Sequence, residues 1–416
     1  MKHKYICGNN KIGIYKDFTL NIIASIILTL ATQIIAYPYL SRIISNKEYG
    51  LLLTVMGIVN AVGVSLGNPL NNTRILLETQ YKKQHLNGDY NVIFIVCVLI
   101  DIIVVSSLSS IVLDNEWLLV IGCTGISILV LFRSYYSASY RIKINYKKNL
   151  YSSMFGLLGY IVGIGITSIT GVWIFTFLFG ELFSCLYVYF TAAIIHDKFK
   201  ITKLFKISLK KYSLLMFAAI ISTMMMYMDR FFIYPILGPE QVSIYNVASF
   251  LGKTAGIVMN PIAGVLLTYY AKENQLSLSQ FYKQIGIFVG ASTLFYSAIL
   301  LVGLPVTKVL YPKIVDSTIP IFAIANLATT IFMLGNIIQP TLIRFCSSKW
   351  QPIIQGIYFI LYMALGIIGM RHYGLIGFCY SVLIANIAKI VIMMIITTWT
   401  LYNNSKLNRN KIISIK

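Results

Sequence analysis

Twelve apolar runs, each long enough to cross a bilayer, follow one another along the chain with little between them. Their bounds read 18–40, 49–70, 91–113, 117–138, 152–170, 172–195, 213–237, 242–268, 285–310, 317–343, 352–370 and 374–400. A hydrocarbon core of ~30 Å needs about 20 residues of helix at a rise of ~1.5 Å each. Only 11% of the 416 residues are charged and 57% are hydrophobic, against roughly 25% charged in a soluble domain. That leaves too little polar surface to coat a water-soluble fold. The expectation is an all-α integral membrane protein of about twelve transmembrane helices.

The formal net charge of +21 would suggest nucleic acid in a soluble protein. Here the positions of the charges explain it, because Lys and Arg gather in loops on the cytoplasmic side of membranes. With the runs as drawn, 25 Lys and Arg fall on the side shared by both termini and 4 on the other. Both termini are therefore expected in the cytoplasm, with no nucleic-acid partner. The first run follows Lys2, Lys4, Lys11 and Lys16 and ends without a small-residue cleavage pattern, which reads as an uncleaved first span.

The basic stretch 196–212, HDKFKITKLFKISLKKY, divides the runs six and six. A surface-lying amphipathic helix and a solvated loop both fit its pattern. The expected organisation is an N-terminal lobe over 1–195, this linker at 196–212, a C-terminal lobe over 213–400 and a basic tail at 401–416. The six cysteines form no C-x-x-C pair, and His3, His85, His196 and His372 are scattered, so neither a disulfide framework nor a metal centre is expected. Gly252-Lys253-Thr254 lacks the upstream glycine of a phosphate-binding loop, whose place is held by Val247. The sequon Asn71-Asn72-Thr73 falls on the side read as cytoplasmic. No nucleotide site, catalytic triad or cofactor is indicated.

One stretch breaks the apolar pattern in an unusual way. Asp229–Tyr245 reads DRFFIYPILGPEQVSIY, an adjacent acid and base inside an apolar helix, then a Gly-Pro turn, then a second apolar helix. A shift of 193 residues aligns Leu237–Tyr245 with Ile44–Leu52. Both segments lie between the first and second run of a six-run half, as in many transporters built from repeats. These two hinges, Leu-Ser-Arg-Ile-Ile-Ser-Asn-Lys-Glu-Tyr-Gly50 and Asp229-Arg230 through Ile-Leu-Gly-Pro-Glu-Gln-Val-Ser-Ile-Tyr245, resemble those of polysaccharide flippases. The likeness is to the O-antigen (Wzx-type) members of the multidrug/oligosaccharidyl-lipid/polysaccharide (MOP) exporter superfamily. Ser243 stands where that pattern usually carries Gly.

The resemblance implies two six-helix lobes around a central cavity, a MATE-like architecture, in a bacterial inner membrane. It implies a non-enzymatic flippase that carries a polyprenyl-diphosphate-linked oligosaccharide from the cytoplasmic to the periplasmic leaflet by alternating access. Partners would be that lipid-linked sugar, membrane lipids, other polysaccharide-assembly proteins and a coupling proton or sodium ion. A cation-coupled multidrug exporter and a lipid II flippase are rivals. An O-antigen polymerase is disfavoured by outer loops of at most about eight residues.

Charges inside the runs mark candidate sites, since a Lys, Arg or Asp at mid-bilayer costs roughly 2.5–3.5 kcal/mol on insertion scales. Asp101, Glu181, Lys253 and Lys389 fall near the middle of their runs and are the substrate or cavity candidates. Both acids precede residue 196 and both lysines follow it, so the acids are expected to pair with the lysines across the lobes in the empty state or to take a coupling cation. Asp229 and Arg230 are expected to act as a gate or lobe-closing element and to point ~100° apart on their helix. Arg42, Arg74 and Arg133 are secondary. Arg42 and Arg74 suit interface anchoring, with arginines at such mouths fitted to anionic substrate by the resemblance, and Arg133 is expected to snorkel. Gly156, Gly159, Gly163 and Gly165 are read as helix contacts.

Overall fold

The computed structural model describes residues 19–413 except 21–22, 255, 257–262, 264–265, 267–269, 271–275 and 348. The N-terminal lysines, His3, Cys7, Pro261 and much of the run 242–268 lie outside the described residues.

Ten helices long and apolar enough to span a membrane occur among the described residues. They are α1 (Ile23–Ile43), α2 (Asn46–Lys83), α3 (Asp89–Val112), α4 (Trp117–Ile142), α5 (Tyr146–Thr170), α6 (Ile174–Thr191) and α7 (Phe205–Leu237). After the shorter α8 (Pro239–Ala248) come α9 (Leu278–Leu310) and α10 (Val315–Phe345). The last, Trp350–Asn403, is two helices joined at Gly374, whose φ of 59° and ψ of −143° break the helical path. We call them α11 (350–373) and α12 (375–403). The run 352–370 and the run 374–400 are thus separate, as expected from their lengths.

The chain forms two compact units, Met1–Phe231 and Phe232–Lys416. The division falls inside α7. Residues 205–231 stay with the first unit because they bond to α2: Ser65 lies 2.9 Å from the Thr223 hydroxyl, and Arg230 donates to the Leu53 carbonyl at 2.8 Å.

In the first unit α2 is the central helix, and most of it is buried. At ~1.5 Å per residue its 38 residues run about 57 Å, well beyond a bilayer core. It starts in a capping box, with Ser45 accepting from the Glu48 amide and Glu48 accepting from the Ser45 amide. Small residues let neighbours close in. A Cβ at Gly63 would sit 3.0 Å from the Ser127 carbonyl oxygen, and one at Gly67 only 2.6 Å from Ser134 Cβ, so α4 lies against this G-x-x-x-G face. The same device joins α5 to α6, where a Cβ at Gly159 or Gly163 would meet the Phe179 or Phe175 carbonyl oxygen at 2.2 and 2.6 Å. Gly156 is also a contact, but Gly165 has nothing within 4 Å.

The basic stretch after α6 is neither a free loop nor a separate surface helix. Residues 197–202 have no regular secondary structure, a turn follows at 203–204, and α7 begins at Phe205. Asp89 accepts from the Thr202 amide at 2.6 Å and from the Tyr81 hydroxyl at 2.5 Å, and the Ser208 hydroxyl lies 2.7 Å from Tyr81. Asn91 donates to the Asp197 carbonyl at 2.8 Å. The second unit packs α10 against α8, α9 and the α11–α12 pair.

Candidate functional site

In the second unit the two membrane lysines stand at opposite ends of a series of aromatic rings. Lys253, a turn beyond α8, holds its Nζ 5.0 Å from the Tyr245 ring centre. Tyr245 meets Phe378 at 5.1 Å, Phe378 meets Tyr362 at 5.9 Å, and Tyr362 meets Tyr358 at 5.9 Å. Lys389 closes the series from α12, its Nζ 4.8 Å from the Tyr358 centre and 4.9 Å from that of Phe332. It is buried, and no salt bridge involves it among the described residues. Two ring faces supply quadrupole attraction that offsets part of the cost of burying an ammonium, but not the charge itself.

Lys253 follows a break in its helix. Asn326, fully buried on α10, accepts from the Gly252 amide at 2.9 Å and donates to the Ala248 carbonyl at 2.7 Å. One side-chain amide replaces the bond that Gly252 and Ala248 would make with each other, a recognised way to bend a helix. On α12, Asn386 donates to the Ala328 carbonyl at 2.8 Å, while its Oδ1 is buried with no partner among the described residues. It lies three residues before Lys389, hence on the same helix face.

The acids of the first unit sit elsewhere than expected. Glu181 on α6 takes two bonds from Arg133 on α4, Nε to Oε2 at 2.7 Å and Nη2 to Oε1 at 3.1 Å, with the Tyr160 hydroxyl 3.5 Å away. Its partner therefore comes from its own unit rather than from a lysine of the other. Arg133 correspondingly does not snorkel. The reason is geometric: the planar guanidinium fits a carboxylate through two parallel bonds. Asp101 is fully buried on α3, its Oδ1 2.7 Å from Ser127 Oγ on α4.

Arg230 is buried beside Tyr227, 5.3 Å from its ring centre, and bonds the Leu53 carbonyl of α2. Asp229 is buried as well. Arg74 is not an exposed anchor. It is buried, donates to the Tyr135 hydroxyl at 3.0 Å, pairs with Asp197 and lies 5.2 Å over Tyr90. Beside it is a cavity of about 150 Å³ lined also by Glu78, Tyr81, Lys82 and Asn87. Arg42, in the last turn of α1, is exposed. Sequence reasoning passed over Asn326 and the ladder rings. The one available signal was an Asn in the middle of the apolar run 317–343.

No family model matches the sequence, and no curated protein matches it. Solved structures do. An inward-facing multidrug resistance MATE family transporter of the MOP superfamily matches with a TM-score of 0.62 at 14% identity, over 94% of this chain and 96% of that one. The lipid II flippase MurJ, in an inward closed conformation, matches with a TM-score of 0.69 at 13% identity, over 92% and 86%. An outward-facing MATE transporter gives 0.62 at 12%, over 94% and 97%. This chain has the MATE-like fold. At 12 to 14% identity the likeness is one of fold.

Proposed function

We propose that the chain is a MOP-superfamily flippase working by alternating access, whose substrate is a polyprenyl-diphosphate-linked oligosaccharide of the O-antigen or polysaccharide type. It would move this substrate from the cytoplasmic to the periplasmic leaflet of a bacterial inner membrane, with both termini in the cytoplasm. The observation that carries the reading is the pair of lysines at the ends of an aromatic ladder, Lys389 lacking any acid among the described residues. A buried cation with no acid beside it among the described residues, as Lys389 is, favours an anionic headgroup such as a diphosphate, and the ring faces suit the apolar faces of sugars. Organic cations would be repelled by the same two charges, which weighs against a multidrug cation exporter despite the MATE-like backbone. In this reading Lys253 and Lys389 contact the headgroup. Asp229 and Arg230 act as a gate, Arg42 and Arg74 lie near a mouth, and Arg133–Glu181 braces the first unit.

The test is to delete the gene in its host and follow lipid-linked intermediates. The expected outcome is a lipid-linked oligosaccharide trapped on the cytoplasmic face, restored to flipping by the wild-type chain and not by Lys389→Met. Normal surface polysaccharide in the deletion strain, with raised sensitivity to cationic dyes, would replace this reading with the multidrug one. Accumulation of lipid II instead would point to cell-wall precursor as cargo.

A further inference from the structure

Among the described residues of the first unit, Asp101 is a buried carboxyl with one oxygen unpartnered. It lies at the middle of α3, on the buried stripe that also holds Cys97, Val105, Ser109 and Val112. Its Oδ1 is 2.7 Å from Ser127 Oγ, and its Oδ2 is buried with no hydrogen-bond partner among the described residues. Ser127 Oγ lies, in turn, 3.3 Å from the Val59 carbonyl oxygen of α2. The α2–α4 approach at Gly63, beside the Ser127 backbone, holds the three together.

Counting protons decides what this arrangement carries. Val59 O, Ser127 Oγ and Asp101 Oδ1 form a line of three oxygens, and an ionised Asp101 would give it only the one serine proton. The carboxylate would then be fully enclosed with a single hydrogen bond and no cation among the described residues, whereas it offers about four acceptor positions. An isolated buried carboxylate is so costly that such groups are neutralised instead. A neutral carboxylic acid fits both distances: Asp101 Oδ1–H donates to Ser127 Oγ, and Ser127 donates to the Val59 carbonyl. The other titratable groups nearby are Cys97, one turn earlier on α3, Cys123, one turn before Ser127 on α4, and Tyr212 of α7, whose hydroxyl is 2.9 Å from the Cys97 sulfur. On α4 the nearest charge is Arg133, already committed to Glu181.

We propose that Asp101, Ser127 and the Val59 carbonyl form a proton-binding site enclosed between α2, α3 and α4, with Asp101 carrying the proton. The proton binds at Oδ1 and leaves as H⁺ to water. Because Asp101 has no exposed surface, exchange requires α3 and α4 to part. Proton exchange is thus tied to a helix movement, and its use as the driving step rests on the transporter reading above.

The test is difference infrared spectroscopy of the full chain in lipid nanodiscs, which needs no substrate and so stands apart from the flippase reading. Wild type in sodium-free neutral buffer should show a protonated-carboxyl carbonyl band that disappears in Asp101→Asn and shifts in Ser127→Ala, which removes the acceptor of the acid proton. If Asp101→Asn fails to fold, the Ser127→Ala shift alone decides. Absence of the band from wild type, or an unshifted band in Ser127→Ala, overturns the proposal. Loss of the wild-type band on adding sodium would make this a sodium site and overturn the proton assignment.

Discussion

Asn326 holds open the backbone one residue before Lys253, accepting from Gly252 at 2.9 Å and donating to Ala248 at 2.7 Å. A leucine there would fill the space and leave both buried backbone groups without partners, each worth ~1–3 kcal/mol when unsatisfied. Asn326→Leu should therefore lower the thermal midpoint of the purified protein clearly, and Asn326→Gln less. An unchanged midpoint for Asn326→Leu would mean the helix simply recloses.

Lys389 is expected to trade stability for activity. Replacing it by Met keeps the stem between Phe332 and Tyr358 while removing a buried charge that has no acid partner among the described residues. Thermal stability should hold or rise as transport is lost. A Lys389→Met variant that still complements the deletion strain removes this lysine from the substrate site.

Arg133 and Glu181 behave oppositely. Removing one member of a buried pair strands the other, typically at a cost of 3–5 kcal/mol, ~4 being the middle of the range. Glu181→Gln and Arg133→Met should each destabilise strongly, while the double variant Arg133→Met/Glu181→Leu should recover most of the loss. The measurement is the thermal midpoint across the double-mutant cycle; additive losses would show that the two side chains act independently.

Gly88 and Gly171 both have positive φ, 116° and 73°, but only Gly88 is crowded. A Cβ there would lie 2.4 Å from the Lys198 carbonyl oxygen, whereas Gly171 has nothing within 4 Å. Alanine at 171 should cost about 1–2 kcal/mol of backbone strain. Alanine at 88 should cost more, since residues 198–200 must also move. Equal midpoints for the two variants would show that 198–200 yields freely.

The fold was legible because run length and apolarity alone demand membrane helices, and the hinge residues pointed to paired bundles. Gly159 and Gly163 could be read too, since a four-residue period places them on one face. What could not be read was pairing between distant residues. Nothing local to Arg133 names Glu181, 48 residues on, and nothing near Arg74 names Asp197, 123 residues away. The rings around Lys389 come from α10 and α11, so its setting is a property of packing rather than of its own run. The distance from span ends puts Asp101 at the middle of its run but gives no bearing around the helix axis, and that bearing decides between a cavity and an enclosed contact with Ser127.

The fastening of residues 197–208 onto α2 and α3 bears on how the chain can be divided in the laboratory. A nick inside that segment would separate Asp197 from Arg74, or Thr202 and Ser208 from the Asp89–Tyr81 pair. The fragment made first would then expose the polar groups that Asp197, Thr202 and Ser208 normally cover. Co-expressed fragments stand a better chance if the first retains α7 through Leu237 and the second opens at the Gly238–Pro239 turn, whose glycine at φ 88° has open space around it.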